Sequence, residues 1–430
     1  MCNRLLLMMV LLPISPAVRM AMAQAAKRLT LAEAEQMALR NHPRIGSAVL
    51  VAQAAKSAVA DARAPLYPFL AGNFTSVGAE HDTTLSAGTV QTSSLYSRVA
   101  AGVTLSQLVT DFGRTSNLAA AAKLRASAQD QVVGNTRAAI LVDVDQTYYA
   151  ALGADTVLRV ARAVVENRRL TLRQVRALAQ SSLKSTLDVS FAEVAVSEAE
   201  LALVRAENDV QAARARLSAA LGAEQTGNFE LADEPLPPAP DPDVEAVVAQ
   251  ALNQRPDLAA LRLSRDATHR FAQAERDLSR PTVSLVGVAG GLPDTDPRLH
   301  STYSAAGVNI NVPILNGNLY AARRSEAELR AEAMDRDVAD LSVQVSEQVR
   351  IAWLEGNTAL RRLDVTARLV EQAERALRLA QTRYDNGLGS IVELNQAQLS
   401  QVSAEIAAAG AKYDYLSRRA ALSFVTGGLR

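Results

Sequence analysis

The sequence predicts a membrane α/β fold built from a duplicated module. Four β-strands would complete a barrel only together with other copies, and long antiparallel coiled-coil helices would extend from it. Three observations predict this: an internal repeat, proline-free stretches of exceptional length, and short segments of two-residue alternation. The repeat comes first. Leu31–Pro43 (LAEAEQMALRNHP) returns as Val244–Pro256 (VEAVVAQALNQRP), and Pro43 and Pro68 pair with Pro256 and Pro281 at one offset, 256 − 43 = 281 − 68 = 213. Further on, Asp111, Tyr148, Asp188 and Gly222 pair with Asn316, Trp353, Glu393 and Gly427 at a second offset, 316 − 111 = 427 − 222 = 205. One loop between Pro68 and Asp111 is therefore shorter in the second copy. A unit this long is a duplicated module, since solenoid repeats run roughly 20–50 residues.

The helices are justified by where proline is missing. None occurs between Pro68 and Pro235, and none after Pro313. Proline is excluded from helix interiors, so these gaps leave room for long helices. Within about 320–383 the apolar positions Val338, Leu341, Val345, Val349, Ala352, Ala359, Leu363, Val370, Ala373, Leu377 and Ala380 recur mostly every three or four residues. That is a coiled-coil-like stripe, and about 60 residues would span roughly 90 Å. The first copy repeats it over about 115–178. Second helices are expected at about 187–221 and 392–425. Turns separate each pair, at Gln180–Thr186 and at Tyr384–Ser390, the latter broken by two glycines.

The strands are justified by period-two alternation. Ala306–Pro313 sets Val308, Ile310 and Val312 against Gly307, Asn309 and Asn311. Arg98–Leu108 sets Val99, Ala101, Val103 and Leu105 against Ala100, Gly102, Thr104 and Ser106. Phe69–Val77 and Thr282–Ala289 complete two hairpins. A transmembrane barrel strand alternates in this way, as does a half-buried strand of a soluble sheet. Polar loops, 78–96 and 290–303, join the strands. The resulting division is a leader (1–23), a first repeat (24–228), a Pro-rich extended linker (229–243) and a second repeat (244–430), each repeat holding short helices, two strands and one long helical hairpin.

Arg4, the apolar run Leu5–Leu12 and the small-residue site Ala21-Met22-Ala23 form the pattern of a cleaved secretory signal peptide. The other reading of this segment is a buried N-terminal helix. Cys2, the chain's one cysteine, precedes the apolar run, so the pattern is not that of a lipoprotein. The mature chain is expected to hold no disulfide and no thiolate site. Lys+Arg and Asp+Glu both number 45, which leaves no basic field for nucleic acid. Aromatics are only 4% of a chain that is 49% hydrophobic, so Ala and Leu carry the apolar content, as suits close helix packing. No apolar stretch after the leader is long enough for a transmembrane helix. His42, His81, His269 and His300 show no metal-ligand spacing, and no nucleophile elbow or phosphate loop occurs. Neither catalysis nor a cofactor is expected.

Four strands cannot close a barrel, and open sheet edges in lipid leave backbone groups unsatisfied. Other copies must supply the rest. Together with this layout, four segments carry a resemblance: Asn253–Leu258 (NQRPDL), Leu108–Arg114 (LVTDFGR), Pro313–Asn318 (PILNGN) and Thr382–Leu394 (TRYDNGLGSIVEL). The chain resembles the TolC-type outer membrane efflux protein family over essentially all of 31–427. The resemblance implies a homotrimer with a 12-stranded outer-membrane barrel and a periplasmic helical tunnel. It also implies docking on a periplasmic adaptor (membrane fusion) protein and an inner-membrane transporter, as the exit duct of a tripartite efflux pump or type I secretion system. The competing reading is a secreted periplasmic coiled-coil scaffold or adaptor without a barrel.

By position, the family's constriction carboxylate falls on Glu393, its nearby tyrosine on Tyr384 and the first-copy acidic residue on Asp188. A second family carboxylate falls on Gln396 and a family arginine on Gly389, so the usual closing network is incomplete here. Asp188 and Glu393 read equally well as helix N-terminal carboxylates favoured by the macrodipole. Arg383 reads equally as a solvated helix residue and as a latch partner. The turns, with Ser182, Leu183 and Ser185 in one copy and Gly387, Leu388, Gly389 and Ser390 in the other, are expected to be the adaptor-docking tips. Gly387 and Gly389 would admit another backbone closely.

Overall fold

The computed structural model describes residues 28–78, 86–87, 90–91, 98–223, 230–295 and 300–429. The leader reading at 1–23, with Cys2, the first residues of the first repeat, Phe229, His81 and most of the loop 78–96 lie outside the described residues. In chain order the elements are β1 (Arg28–Leu29), α1 (Leu31–Asn41), α2 (Pro43–Arg63), β2 (Phe69–Val77), β3 (Ser86–Ala87), β4 (Val90–Gln91), β5 (Arg98–Thr110), α3 (Arg114–Gln180) and α4 (Thr186–Ala220). There follow β6 (Glu230–Leu231), α5 (Val244–Gln254), α6 (Pro256–Arg276), β7 (Thr282–Thr295), β8 (Thr302–Asn311), α7 (Leu319–Asp385) and α8 (Ile391–Val425).

The long helices α3 and α7 each hold 67 residues, and α4 and α8 each hold 35. At 1.5 Å per residue the longer pair spans roughly 100 Å. Local chemistry sets their ends. Thr30 caps α1 in a capping box with Glu33, and Pro43 and Pro256 stand at the first positions of α2 and α6. Strand passes to long helix through two consecutive left-handed residues in each copy: Phe112 and Gly113 (φ 57° and 104°), then Gly317 and Asn318 (φ 59° and 67°). Such a pair reverses the chain sharply, and one glycine in each removes part of its strain.

Helix packing rests on small residues. Ala119, Ala121, Ala126, Ala128 and Ala138 of α3, and Ala260, Ala267, Ala272 and Ala274 of α6, are all buried. α3 touches α1, α2, α4, α6 and α8 and is the spine of the chain. The largest core gathers Tyr148, Tyr149, Ile140 and Val144 of α3 with Leu217 and Leu221 and with the α1 residues Ala34 and Ala38. Glycines close the ends of both copies. A Cβ on Gly222 would stand 2.8 Å from the His42 Cα, and one on Gly427 would stand 2.9 Å from the Gln254 carbonyl. Both have positive φ, 72° and 76°. The last turn of each hairpin therefore packs directly on the turn before Pro43 or Pro256.

The Pro-rich connector has almost no regular structure, yet aromatic donors pin it. The Tyr148 hydroxyl lies 2.7 Å from the carbonyls of both Leu29 and Ala232, Trp353 Nε1 donates to the Asp241 carbonyl at 2.7 Å, and the Tyr415 hydroxyl donates to the Pro238 carbonyl at 3.0 Å. Tyr148 also holds together the short parallel pairing of β1 with β6, which the sequence did not suggest.

β2, β5, β7 and β8 form one antiparallel four-stranded sheet in that order, with β2 and β8 as edges. Three strands run differently from the sequence expectation. β5 continues to Thr110, β7 runs on through Gly290 and Gly291 to Thr295, and β8 starts at Thr302 and ends at Asn311, so Val312 lies beyond it. The paired backbone carries the chain through residues that read as loop. The register puts Leu70, Leu105, Gly287 and Ala306 side by side, and Leu285 beside Val308. Because the side-chain period is two, one face holds Leu70, Phe74, Val103, Leu105, Val283, Leu285, Val308 and Ile310. The other holds Asn73, Thr75, Thr104, Ser106, Ser284, Asn309 and Asn311. On this second face Tyr303 lies over two glycines of one row, within 2.5 Å of where a Cβ on Gly290 would stand.

Candidate functional site

The expected site residues gather at the end of the helical bundle away from the sheet. Tyr384, Ile391 and Leu394 of the second hairpin are buried against Val175 and Ala192 of the first. Both turns therefore belong to one tip. Each long helix ends in the same way, with two backbone bonds closing a left-handed residue. In the first copy Ser182 N–H donates to the Ala179 carbonyl and Leu183 N–H to that of Leu178; in the second, Gly387 donates to Tyr384 and Leu388 to Arg383. This is a Schellman ending. Its left-handed position is Ser182 in one copy (φ 57°) and Gly387 in the other (φ 72°).

The two carboxylates do different work. Asp188 is closed into a capping box: its backbone N–H donates to Ser185 Oγ at 3.2 Å, and its carboxylate accepts from the Ser185 backbone at 3.1 Å. Glu393 donates its N–H to Ser390 Oγ at 3.1 Å, but its carboxylate turns to Arg383, whose Nε donates to it at 3.1 Å. Arg383 also donates to the Leu388 carbonyl at 3.1 Å, so it clasps the turn. Both side chains are largely exposed, and such a pair contributes about 0–1 kcal/mol.

Gly389 differs from the expectation. A Cβ there would stand 3.2 Å from Arg383 Cβ and from Glu393 Oε2, and 3.3 Å from the Tyr384 nitrogen. Its smallness is used within the turn, to bring Arg383 and Glu393 together. Gly387 is open on that side, with nothing within 4 Å. Leu183 and Leu388 are 70% and 72% exposed, so each turn presents a leucine to solvent.

Sequence reasoning missed two neighbours, Lys184 and Arg168. Lys184 Nζ sits 4.0 Å above the Tyr384 ring, a cation–π contact. The Tyr384 hydroxyl is buried without a partner among the described residues, and burial, with the charges of Asp188 and Asp385, raises its pKa. Arg168 of α3 is buried and reaches across to the side-chain oxygens of Asn395 (2.9 Å) and Gln398 on α8; burial lowers its pKa. A cation on a helix stripe otherwise rich in small and apolar residues was the available signal. Far from the tip, Asp145 is buried beside Glu35, and burial, then the Glu35 charge, hold its carboxyl well above the usual carboxylate range.

Among the described residues no group of three or more His, Cys, Asp and Glu side chains could hold a metal ion, and no helix is long and apolar enough to cross a membrane.

A strand sheet continuous with duplicated long helical hairpins is the fold of outer-membrane channels. The CmeC outer membrane channel of Campylobacter jejuni superposes with a TM-score of 0.81 over 93% of this chain and 85% of that one, at 17% identity. The family model described as outer membrane efflux protein matches twice, over residues 34–223 and 247–428, and the chain belongs to that family. The solvent efflux pump outer membrane protein SrpC of Pseudomonas putida is 26% identical over 330 residues, 74% of this chain and 68% of SrpC. Outer membrane protein TolC of Escherichia coli K12 is 23% identical over 412 residues, 90% of this chain and 80% of TolC.

Proposed function

We propose that this chain is the outer-membrane exit duct of a tripartite efflux pump or type I secretion system. Three copies close a 12-stranded barrel, β8 of each pairing with β2 of the next, and the helical hairpins form a periplasmic tunnel beneath it. The observation that carries the reading is the sheet. It is exposed on both faces and open at both edges; Phe74, Val308 and Ile310 are 73%, 61% and 62% exposed. An apolar face and two open edges in one chain call for lipid and for further strands. Exposed apolar side chains along the helices, such as Val204, Val343 and Leu379, leave seams for neighbouring copies. The chain reaches the periplasm through a cleaved signal peptide. It passively conducts what an inner-membrane transporter and a periplasmic adaptor deliver, and it catalyses nothing.

The tips at Ser182–Ser185 and Gly387–Ser390 dock the adaptor, with Leu183 and Leu388 as apolar contacts. Asp188 and Glu393, three of each per trimer, ring the periplasmic mouth, with Tyr384 behind them. Acidic rings favour cations. Planar-bilayer recordings of a Glu393→Gln, Asp188→Asn double variant are expected to show reduced cation preference and weaker block by multivalent cations. Unchanged selectivity would leave both residues as helix-terminal charges only.

A further inference from the structure

A cavity of about 820 Å³ lies where the sheet meets the helices. Small-molecule sites commonly enclose about 300–1,000 Å³. The strand residues lining it include Phe69, Ser106, Leu108, Thr282 and Ser284. The register puts all five on the face of Asn309 and Asn311: Phe69 pairs with Ser106, Leu108 with Ser284, Ser284 with Asn309, and Thr282 with Asn311. The cavity therefore opens toward the lumen of the proposed barrel, and the inference rests on that reading.

Its other walls are α2, α3 and α6. Ala58 and Ala62 face Leu118 and Ala122, with Tyr67 and Phe271 as aromatic surfaces. Two guanidiniums belong to it, Arg114 and Arg125. They stand eleven residues apart on α3, which is three turns and about 16 Å along one face. Their surroundings differ. Arg114 has Glu275 at 4.0 Å, and its Nε is buried without a partner among the described residues. The one carboxylate in the lining, Asp111, is taken up by the backbone N–H groups of Gly113 and Thr115, at 3.2 and 2.7 Å, and by the Thr115 hydroxyl. Arg125 lies over the Phe271 ring at 5.8 Å, a long cation–π contact, and no carboxylate within salt-bridge distance balances it among the described residues. That contact leaves its guanidinium donors open.

We propose that this cavity is a lumen-facing resting site for amphipathic organic anions, with the anionic group on Arg125 and a flat apolar body along the alanines toward Tyr67 and Phe69. The trimer carries three such sites at the junction of barrel and tunnel. Cargo of this class pauses there, whereas cations of the same shape do not.

The test uses the full trimer in planar bilayers, with pyrene-1-sulfonate as probe and pyrenylmethylammonium as its cationic counterpart. The sulfonate is expected to block current in a concentration-dependent way, and the ammonium compound to block at least about tenfold more weakly, the weight of one charge-assisted contact. Arg125→Gln should weaken sulfonate block by a similar factor. Ala122→Trp should fill the cavity and remove block from channels that still conduct. Arg361→Gln, which neutralises a cation outside the cavity, should leave block as it is. Equal block by both probes, or full block of the Arg125→Gln channel, overturns the site. Single cysteines separate this failure from that of the lumen reading. Ser106→Cys should react with an anionic methanethiosulfonate and lower conductance, and Leu105→Cys should not. Reaction at Ser106 without sulfonate block refutes the site alone. Reaction at Leu105 instead refutes the facing of the sheet. Reaction at an Asn309→Cys channel but not at Ser106 means a neighbouring copy covers the cavity, and the site falls.

Discussion

Placing an arginine at successive heights on the apolar face of the sheet should trace the bilayer across it. β5 runs from Arg98 to Thr110, with Thr104 at its centre. Leu105 is one residue from that centre, on the apolar face, and 41% exposed. Ile310 pairs with Val283, which pairs with Thr110 at the helical end of the sheet. Six residues at about 3.4 Å, on a strand tilted by roughly 40°, put Thr110 about 16 Å from the centre. The two strand steps of about 4.8 Å across to Ile310 change that height by about 6 Å, so Ile310 stands about 10–22 Å from it. An apolar band about 25 Å tall ends about 12 Å from its middle. Leu105→Arg should then cost about 2–4 kcal/mol in each copy, and roughly three times that per trimer. Ile310→Arg should cost about 0–1 kcal/mol per copy, because its guanidinium reaches the interface. Thr104→Arg, beside Leu105 but facing the lumen, should be nearly neutral. The assay is folding into lipid vesicles under a urea gradient, read by the fraction of heat-resistant trimer. If Thr104→Arg impaired assembly more than Leu105→Arg, the facing would be reversed. If Ile310→Arg cost as much as Leu105→Arg, the assigned depth would be wrong.

Two further outcomes follow from the tip and the core. Ser182→Gly should steady the first turn and Gly387→Ala should loosen the second, each by about 1 kcal/mol, because a Cβ in the left-handed region is strained; hydrogen exchange at the Leu183 and Leu388 amides should slow in the first variant and speed up in the second, and the opposite order would refute the shared geometry. The raised pKa of Asp145 means that the folded chain holds a proton the unfolded chain releases, so this contribution is full below the ordinary value of 3.8 and is lost as pH rises through the raised value. Asp145→Asn should flatten the fall of Tm with rising pH in detergent, and an unchanged slope would refute it.

Most of the helical layout was legible because proline gaps and three-four spacing act over tens of residues. The offsets of 213 and 205 read in the sequence return in the element boundaries, as between α2 and α6 and between α3 and α7. Strand ends were harder to read. Gly290 and Gly291 look like a turn, yet they pair in β7, where the Tyr303 ring covers Gly290 on one face. Val312 continued the alternation one step past the last ladder pair. At the tip, Glu393 and Asp188 could be placed by position, but their partners could not. The contact of Arg383 with Glu393 spans ten residues across a turn. It depends on the left-handed Gly387 and on the missing Cβ of Gly389, neither of which a periodicity reports. Lys184 over Tyr384, and Arg168 on Asn395, join two hairpins that lie more than 150 residues apart in sequence.

The central claim is that the open edges β2 and β8 meet between copies in the outer membrane. The most direct measurement is disulfide formation between one cysteine on β2 and one on β8, in a chain whose own single cysteine is Cys2. With Asn73→Cys and residues of β8 from Tyr303 to Asn309 replaced in turn, outer membranes should yield a covalent trimer ladder at one register and none at its neighbours. A clean monomer released by osmotic shock, with no intermolecular disulfide at any register, would contradict the account.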